Sequence, residues 1–223
     1  MAAAQAAACG DTAYFGALDE QELSRLKAVR DEDSRTLLHT AACGGHASLV
    51  ELLLQRGFGT LANTADDDGW TPLLSAASVG SVGVVRLLLG VGACVDATNT
   101  GGRSSLHYAA SKGNAAVVEL LITAGASTTL KDVVGATPLH RAAAAGQLAA
   151  LRVLLGANAD VEATDKGGAT PLLSAAEAQQ DGACLALAAA GANLEAVNAA
   201  GAGVPALRPS LLAALHGAAA GES

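Results

Sequence analysis

The sequence predicts an all-α solenoid of helix-turn-helix repeats joined by β-turn fingers, about seven in number with degenerate units at both ends. Three observations predict it. A glycine followed two residues later by threonine or serine recurs at Thr71, Ser104, Thr137 and Thr170, every 33 residues. Paired alanines return in the same register at Ala76-Ala77, Ala109-Ala110, Ala142-Ala143 and Ala175-Ala176. The chain is 51% apolar yet only 2% aromatic, which suits thin aliphatic layers between stacked units better than one filled centre.

Each recurring residue has a job in a helix pair. The threonine or serine hydroxyl can cap the first helix, and Pro72, Pro138 and Pro171 sit where the first turn has no hydrogen bond to lose. The alanines let neighbouring helices approach closely. Gly45, Gly80, Gly113 and Gly146 end the first helix. Aliphatics at helical spacing build the second, for example Val118/Leu121/Ile122 and Leu151/Leu154/Leu155. That helix stops at Gly57, Gly92, Gly125, Asn158 and Gly191, asparagine being the other residue that tolerates a left-handed stop. Asn63, Asp66, Asp96, Asn99, Asp132 and Asp165 populate the fingers.

A 33-residue period with this Thr-Pro-Leu-His motif is that of ankyrin repeats. An upstream copy, Thr36-Leu37-Leu38-His39, lies 35 residues before Thr71, as expected if the loop from Phe58 to Asn63 holds two extra residues. Downstream the motif decays to Gly203-Val204-Pro205. The expected organisation is a flexible alanine-rich lead over 1–10, an N-terminal capping repeat over 11–33, five ankyrin repeats over 34–196, and a degenerate C-terminal capping repeat and tail over 197–223.

Composition excludes several functions. A net charge of −8 without a basic stripe speaks against nucleic acid as a partner. No apolar run reaches bilayer length, and Met1 to Ala8 lacks the basic start of a signal peptide. The expectation is a soluble monomer in the cytoplasm, with the nucleus also open to it. Cys9, Cys43, Cys94 and Cys184 show no paired spacing and read as buried thiols of a reducing compartment. His39, His107 and His140 share one slot, but Leu74 and Leu173 replace them elsewhere, so the slot reads as scaffold. No nucleophile elbow, phosphate loop or paired metal-ligand histidines occur. Neither catalysis nor a cofactor or metal is expected.

If the constant residues hold the stack, function falls to variable positions carrying large or charged groups. The residue before each threonine or serine is Arg35, Trp70, Arg103, Ala136 or Ala169, expected to project from the finger. The residue after the histidine slot is Thr40, Ser75, Tyr108, Arg141 or Ser174, expected on the inner surface, with Lys112 one turn beyond Tyr108. Asp31-Glu32-Asp33 and Asp66-Asp67-Asp68 lie one repeat apart and should meet at neighbouring finger tips, as a solvated edge or as one that steers a basic partner. The candidate partner-binding residues are Asp33, Arg35, Asp67, Trp70, Tyr108, Lys112 and Arg141.

Several stretches, Asp33-Ser34-Arg35-Thr36, Asp67-Asp68-Gly69-Trp70, Leu106-His107-Tyr108-Ala109-Ala110-Ser111-Lys112 and His140-Arg141-Ala142-Ala143-Ala144, resemble the gankyrin-like family of ankyrin-repeat, non-ATPase subunits associated with the 26S proteasome regulatory particle. The resemblance runs from about Asp31 to Ala196. It implies an assembly chaperone that binds the C-terminal domain of a base ATPase subunit. It further implies that Asp33 and Asp67 meet partner arginines, that Arg35 and Lys112 meet partner glutamates, and that Trp70 packs at the contact; Tyr108 and Arg141 match family positions too. The sequence departs from the family at Thr40, where a second interface tryptophan is expected, and at Leu173-Ser174-Ala175-Ala176-Glu177, which lacks the cysteine of the retinoblastoma-binding element. A general ankyrin adaptor or kinase-inhibitor-like scaffold is the alternative.

Overall fold

A computed structural model describes residues 2–204 and 208. Among these described residues the regular elements are thirteen α-helices and one 3₁₀ turn, with an isolated antiparallel bridge between Val197 and Gly203. The fold class is the all-α ankyrin-repeat class expected. The chain divides into two units, residues 1–100 and 101–223.

The first unit holds α1 (Ala2–Cys9), α2 (Thr12–Ala17), α3 (Glu20–Lys27), α4 (Leu37–Cys43), α5 (Ala47–Gln55), α6 (Pro72–Val79) and α7 (Val82–Gly90). First helices α1, α4 and α6 stack in one row, and α2, α5 and α7 in a second. Residues 2–9 of the expected alanine-rich lead are thus helical and packed on α4. Alanines at α1 positions 3 and 7 face the stack and are buried, and α1 with α2 forms a helix pair one unit earlier than the 11–33 boundary placed it. The two extra residues of the Phe58 loop go into the 3₁₀ turn Phe58–Leu61, which sinks Phe58 completely and lays the Lys27 ammonium 5.5 Å over its ring.

The second unit holds α8 (Ser105–Lys112), α9 (Ala115–Thr123), α10 (Pro138–Ala144), α11 (Leu148–Gly156), α12 (Pro171–Glu177) and α13 (Asp181–Ala189). Here α8, α10 and α12 stack as first helices, and α9, α11 and α13 as second. The described residues thus contain six helix pairs, and most of the expected C-terminal cap and tail, 205–207 and 209–223, lies outside them.

The caps work as their chemistry predicts. Thr71 Oγ1 accepts from the Leu74 N–H at 3.3 Å and Thr170 Oγ1 from Leu173 at 3.3 Å. Asn158 adopts φ 56°, the left-handed stop expected of it. Two other left-handed positions have lost their glycine: Ser34 at φ 64° stands where later fingers have Gly69, Gly102, Gly135, Gly168 and Gly201, and Gln179 at φ 59° stands where earlier turns have glycine. Cys184 is buried, and the apolar surroundings push its thiol up to about 11. Cys9, Cys43 and Cys94 are exposed, against the buried-thiol reading.

Ser105 occupies the slot that holds proline in three other repeats, and its buried hydroxyl has no hydrogen-bond partner. Ser104 before it is extended at φ −86°, ψ 171°, the conformation a following proline requires. Ser105→Pro removes the orphaned hydroxyl and stiffens the unfolded chain, so it is expected to stabilise by about 1–3 kcal/mol. A thermal unfolding midpoint raised by several degrees would show this, and an unchanged or lower midpoint would refute it.

Candidate functional site

The fingers are five-residue hairpins, organised at the first position by the side chain of Asp31, Asp66, Asp132, Asp165 or Asn198. In the first unit, Asp31 Oδ1 accepts from the Asp33 and Arg35 amides at 3.1 and 2.8 Å. Asp66 Oδ1 does the same for Asp68 and Trp70 at 3.1 and 2.7 Å. The two fingers join through the Asp67 N–H, which donates to the Asp33 carbonyl at 3.1 Å. Backbone pairing therefore brings the candidate acids Asp33 and Asp67 to one edge, where both side chains are exposed.

Asp66 does something else. Its side chain is 1% exposed, and Oδ2 accepts from Arg35 Nε at 3.0 Å, so the first member of that acidic run is an internal organiser rather than an edge charge. Arg35 also lies 3.5 Å from Asp33 and keeps 44% of its side chain exposed. The hydrogen bond to Asp66, with the neighbouring acids, raises its pKa further. Trp70 is half-buried; its amide is held by Asp66 and its carbonyl accepts from His39 Nε2 at 3.0 Å. With Thr40, Cys43, Ser75 and Ser78 it lines a groove of about 500 Å³.

In the second unit Tyr108 is half-buried on α8, and Lys112, one turn later, is exposed. The Arg103 guanidinium lies 6.0 Å over the Tyr108 ring. Asp132, with no side-chain exposure, stands between two arginines: Arg141 Nε donates to Oδ2 at 2.8 Å, its Nη2 makes a second contact, and Arg103 Nε is 3.5 Å away. Burial pushes the Asp132 carboxyl up, but the hydrogen bond and charge of Arg141 with the Val134 and Ala136 amides outweigh it, and the pKa falls below the ordinary value. The Arg141 guanidinium is thus engaged by its own chain and 25% of its side chain is exposed.

Sequence reasoning placed Ala136 and Ala169 on the projecting row, yet both are only 5% exposed. It missed Asp66 and Asp132 as the residues that orient Arg35 and Arg141. The signal was present as an Asp or Asn four residues before each projecting position, but it read as finger composition. The histidine slot is scaffold in the structure as expected: His107 and His140 each join Nε2 to a carbonyl of the next finger, Ala136 and Ala169, at 3.0 Å.

The fold and the finger geometry define an ankyrin-repeat scaffold, and the chain belongs to that family: the family model for ankyrin repeats (3 copies) matches residues 3–99, 61–132 and 106–198. Within the family it is similar to the 26S proteasome non-ATPase regulatory subunit 10 of Dictyostelium discoideum, 48% identical over 64 residues, which is 29% of this chain and 27% of that protein. The subunit of the same name from Homo sapiens is 48% identical over 65 residues, 27% of this chain and 28% of the relative. It is also similar to the RelA-associated inhibitor of Mus musculus, 34% identical over 93 residues, 40% of this chain and 11% of that protein. The matched stretch thus spans little more than a quarter of the proteasomal relatives' length. No helix among the described residues is long and apolar enough to cross a membrane.

Proposed function

We propose that this chain is a non-catalytic assembly chaperone of the 26S proteasome regulatory particle that binds the C-terminal domain of a base ATPase subunit. The observation that carries the reading is the 48% identity to proteasome non-ATPase regulatory subunit 10, a level well above that to the RelA-associated inhibitor. The geometry supports it. Asp33 and Asp67 form an exposed acidic edge beside the half-buried Trp70 in the first unit, and Lys112 is exposed beside Tyr108 in the second. Acids there would steer partner arginines, Arg35 and Lys112 would meet partner carboxylates, and the aromatic rings would supply apolar contact. Arg141 would act through its exposed edge, since Asp132 holds the rest.

The similarity to the RelA-associated inhibitor and to protein phosphatase 1 regulatory subunit 27 of Homo sapiens, 40% identical over 65 residues, favours a second reading as a general ankyrin adaptor. Binding to purified base ATPase C-terminal domains separates the two. The triple variant Asp33→Lys, Asp67→Lys, Lys112→Glu is expected to weaken that binding by at least about tenfold with an unchanged circular dichroism spectrum. Absence of binding by the unsubstituted chain would leave the adaptor reading standing, and unchanged affinity in the triple variant would remove these residues from the interface.

A further inference from the structure

The fingers are joined by one repeated backbone bond. The amide one residue after each organising Asp or Asn donates to the carbonyl two residues after the organiser of the preceding finger. In the first unit these bonds run from Asp67 N to Asp33 O at 3.1 Å and from Thr100 N to Asp68 O at 2.9 Å. In the second they run from Val133 N to Gly101 O, Lys166 N to Val134 O and Ala199 N to Gly167 O, at 3.1, 2.9 and 2.8 Å. The register puts the Glu32 amide in the same place on the Asp31–Arg35 finger. No finger precedes that one among the described residues, and beside it lies a groove of about 640 Å³ lined by Ala4, Val29, Glu32, Asp33 and Leu37 among others.

We propose that this groove is a docking site for a basic extended segment of a partner protein, which adds to the stack as a further finger would, by offering a backbone carbonyl to the Glu32 N–H. Main-chain addition at an open edge supplies affinity without demanding a sequence, and the flanking side chains set the preference. Those side chains favour arginine or lysine. Glu32 and Asp33 are exposed carboxylates at the mouth, and the nearby cations are engaged: Arg30 Nη1 donates to the Lys27 and Val29 carbonyls, and Arg35 pairs with Asp66 and lies 3.5 Å from Asp33. Of the two acids, Glu32 is thus the one without a cation beside it among the described residues. Val29, 44% exposed, gives the apolar stem of such a side chain a surface to lie on. The groove shares Asp33 and Arg35 with the face proposed for the assembly partner, but peptide binding here is measured without that partner, so either reading can fail while the other stands.

The test uses the full chain, isotope-labelled, and a capped five-residue peptide of alternating valine and arginine. Its addition is expected to move the Glu32 amide proton downfield, slow its exchange, and saturate. Glu32→Pro removes the donor at the second position of a turn closed by Ser34 N to Asp31 O, a position that suits proline, and should weaken binding by about fivefold or more. Glu32→Gln keeps the donor and removes the charge, so it should weaken binding by about two- to fivefold at low salt and less at high salt. Equal binding of the peptide with glutamate in place of arginine overturns the proposal, as does a shift confined to amides around Trp70. A Glu32 amide that responds to protein concentration alone overturns it in favour of a second copy. Should Glu32→Pro fail to fold, the shift and exchange of the Glu32 amide in the unsubstituted chain decide the matter.

Discussion

Leu121→Ala is expected to cost about 2–5 kcal/mol of folding stability. Leu121 lies on α9, has no exposed surface, and fills the layer that α9 makes against α8 and α11. Apart from Cys184, leucine, valine and alanine supply the fully buried apolar side chains of this unit, so no buried aromatic ring lines the space left behind. The stack also makes the loss cooperative. Each repeat draws stability from its own packing and from its two neighbours, so loosening one layer weakens the units on either side. Urea unfolding followed by circular dichroism should show a much lower midpoint, with a shallower slope where the array begins to unfold in parts. Val133→Ala is the matched control: that side chain is 55% exposed at a finger tip and its loss should change stability by less than about 0.5 kcal/mol. Equal midpoints for the two variants would show that the interior does not depend on leucine packing.

The parts of the fold legible in the sequence are those where backbone geometry restricts residue choice. Asn158 could be placed at a helix stop because only glycine and asparagine take that conformation cheaply, and the structure has it at φ 56°. Ser34 and Gln179 take the same conformation at φ 64° and 59° without that signature, so nothing in the sequence marked them. The first helix pair was obscured for a different reason. Ala2–Cys9 carries no threonine cap, no proline and no leucine stripe, and an almost all-alanine segment has no face to read. Its partner is the α4 row, a contact that exists only once the chain has folded back.

The candidate site was legible as rows of positions, not as interactions. Periodicity alone put Asp33 and Asp67 one repeat apart, and the Asp67 N–H bond to the Asp33 carbonyl is the physical form of that spacing. Side-chain reach was out of view. Arg141 turns back to Asp132, nine residues earlier, and Arg35 crosses to Asp66 in the next finger, so two of the expected interface cations carry an internal carboxylate with them. The buried acids that aim them are chemically the same residue type as the exposed acids beside them. Only burial, 1% at Asp66 against 66% at Asp33, tells the two roles apart.

Acid is expected to unfold this protein through its buried histidines before its carboxylates titrate. Burial lowers the pKa of His39, His107 and His140. Geometry reinforces the effect: Nδ1 of each accepts the backbone N–H of Thr36, Ser104 or Thr137 at 3.1 to 3.2 Å, so a proton added there would face another donor. Above about pH 6.5 both folded and unfolded states are neutral and the histidines cost nothing. As the pH falls below that value the unfolded chain takes up protons that the folded chain refuses, and stability declines until the lowered folded pKa is reached. The slope approaches about 1.4 kcal/mol per pH unit for each histidine, about 4 for the three together. Asp132 contributes in a separate, lower window: its carboxyl is depressed in the fold, so the stability it confers is present at neutral pH and is lost only below the ordinary value of 3.8. Urea midpoints measured from pH 7.5 to 5 should fall steeply. Leucine already occupies the histidine slot as Leu74 and Leu173, both buried, so the triple variant His39→Leu, His107→Leu, His140→Leu should fold and lose most of that slope. It should also be less stable at pH 7.5, for want of the bonds to the next fingers. A slope as steep in the triple variant as in the unsubstituted chain would assign the acid sensitivity to other groups.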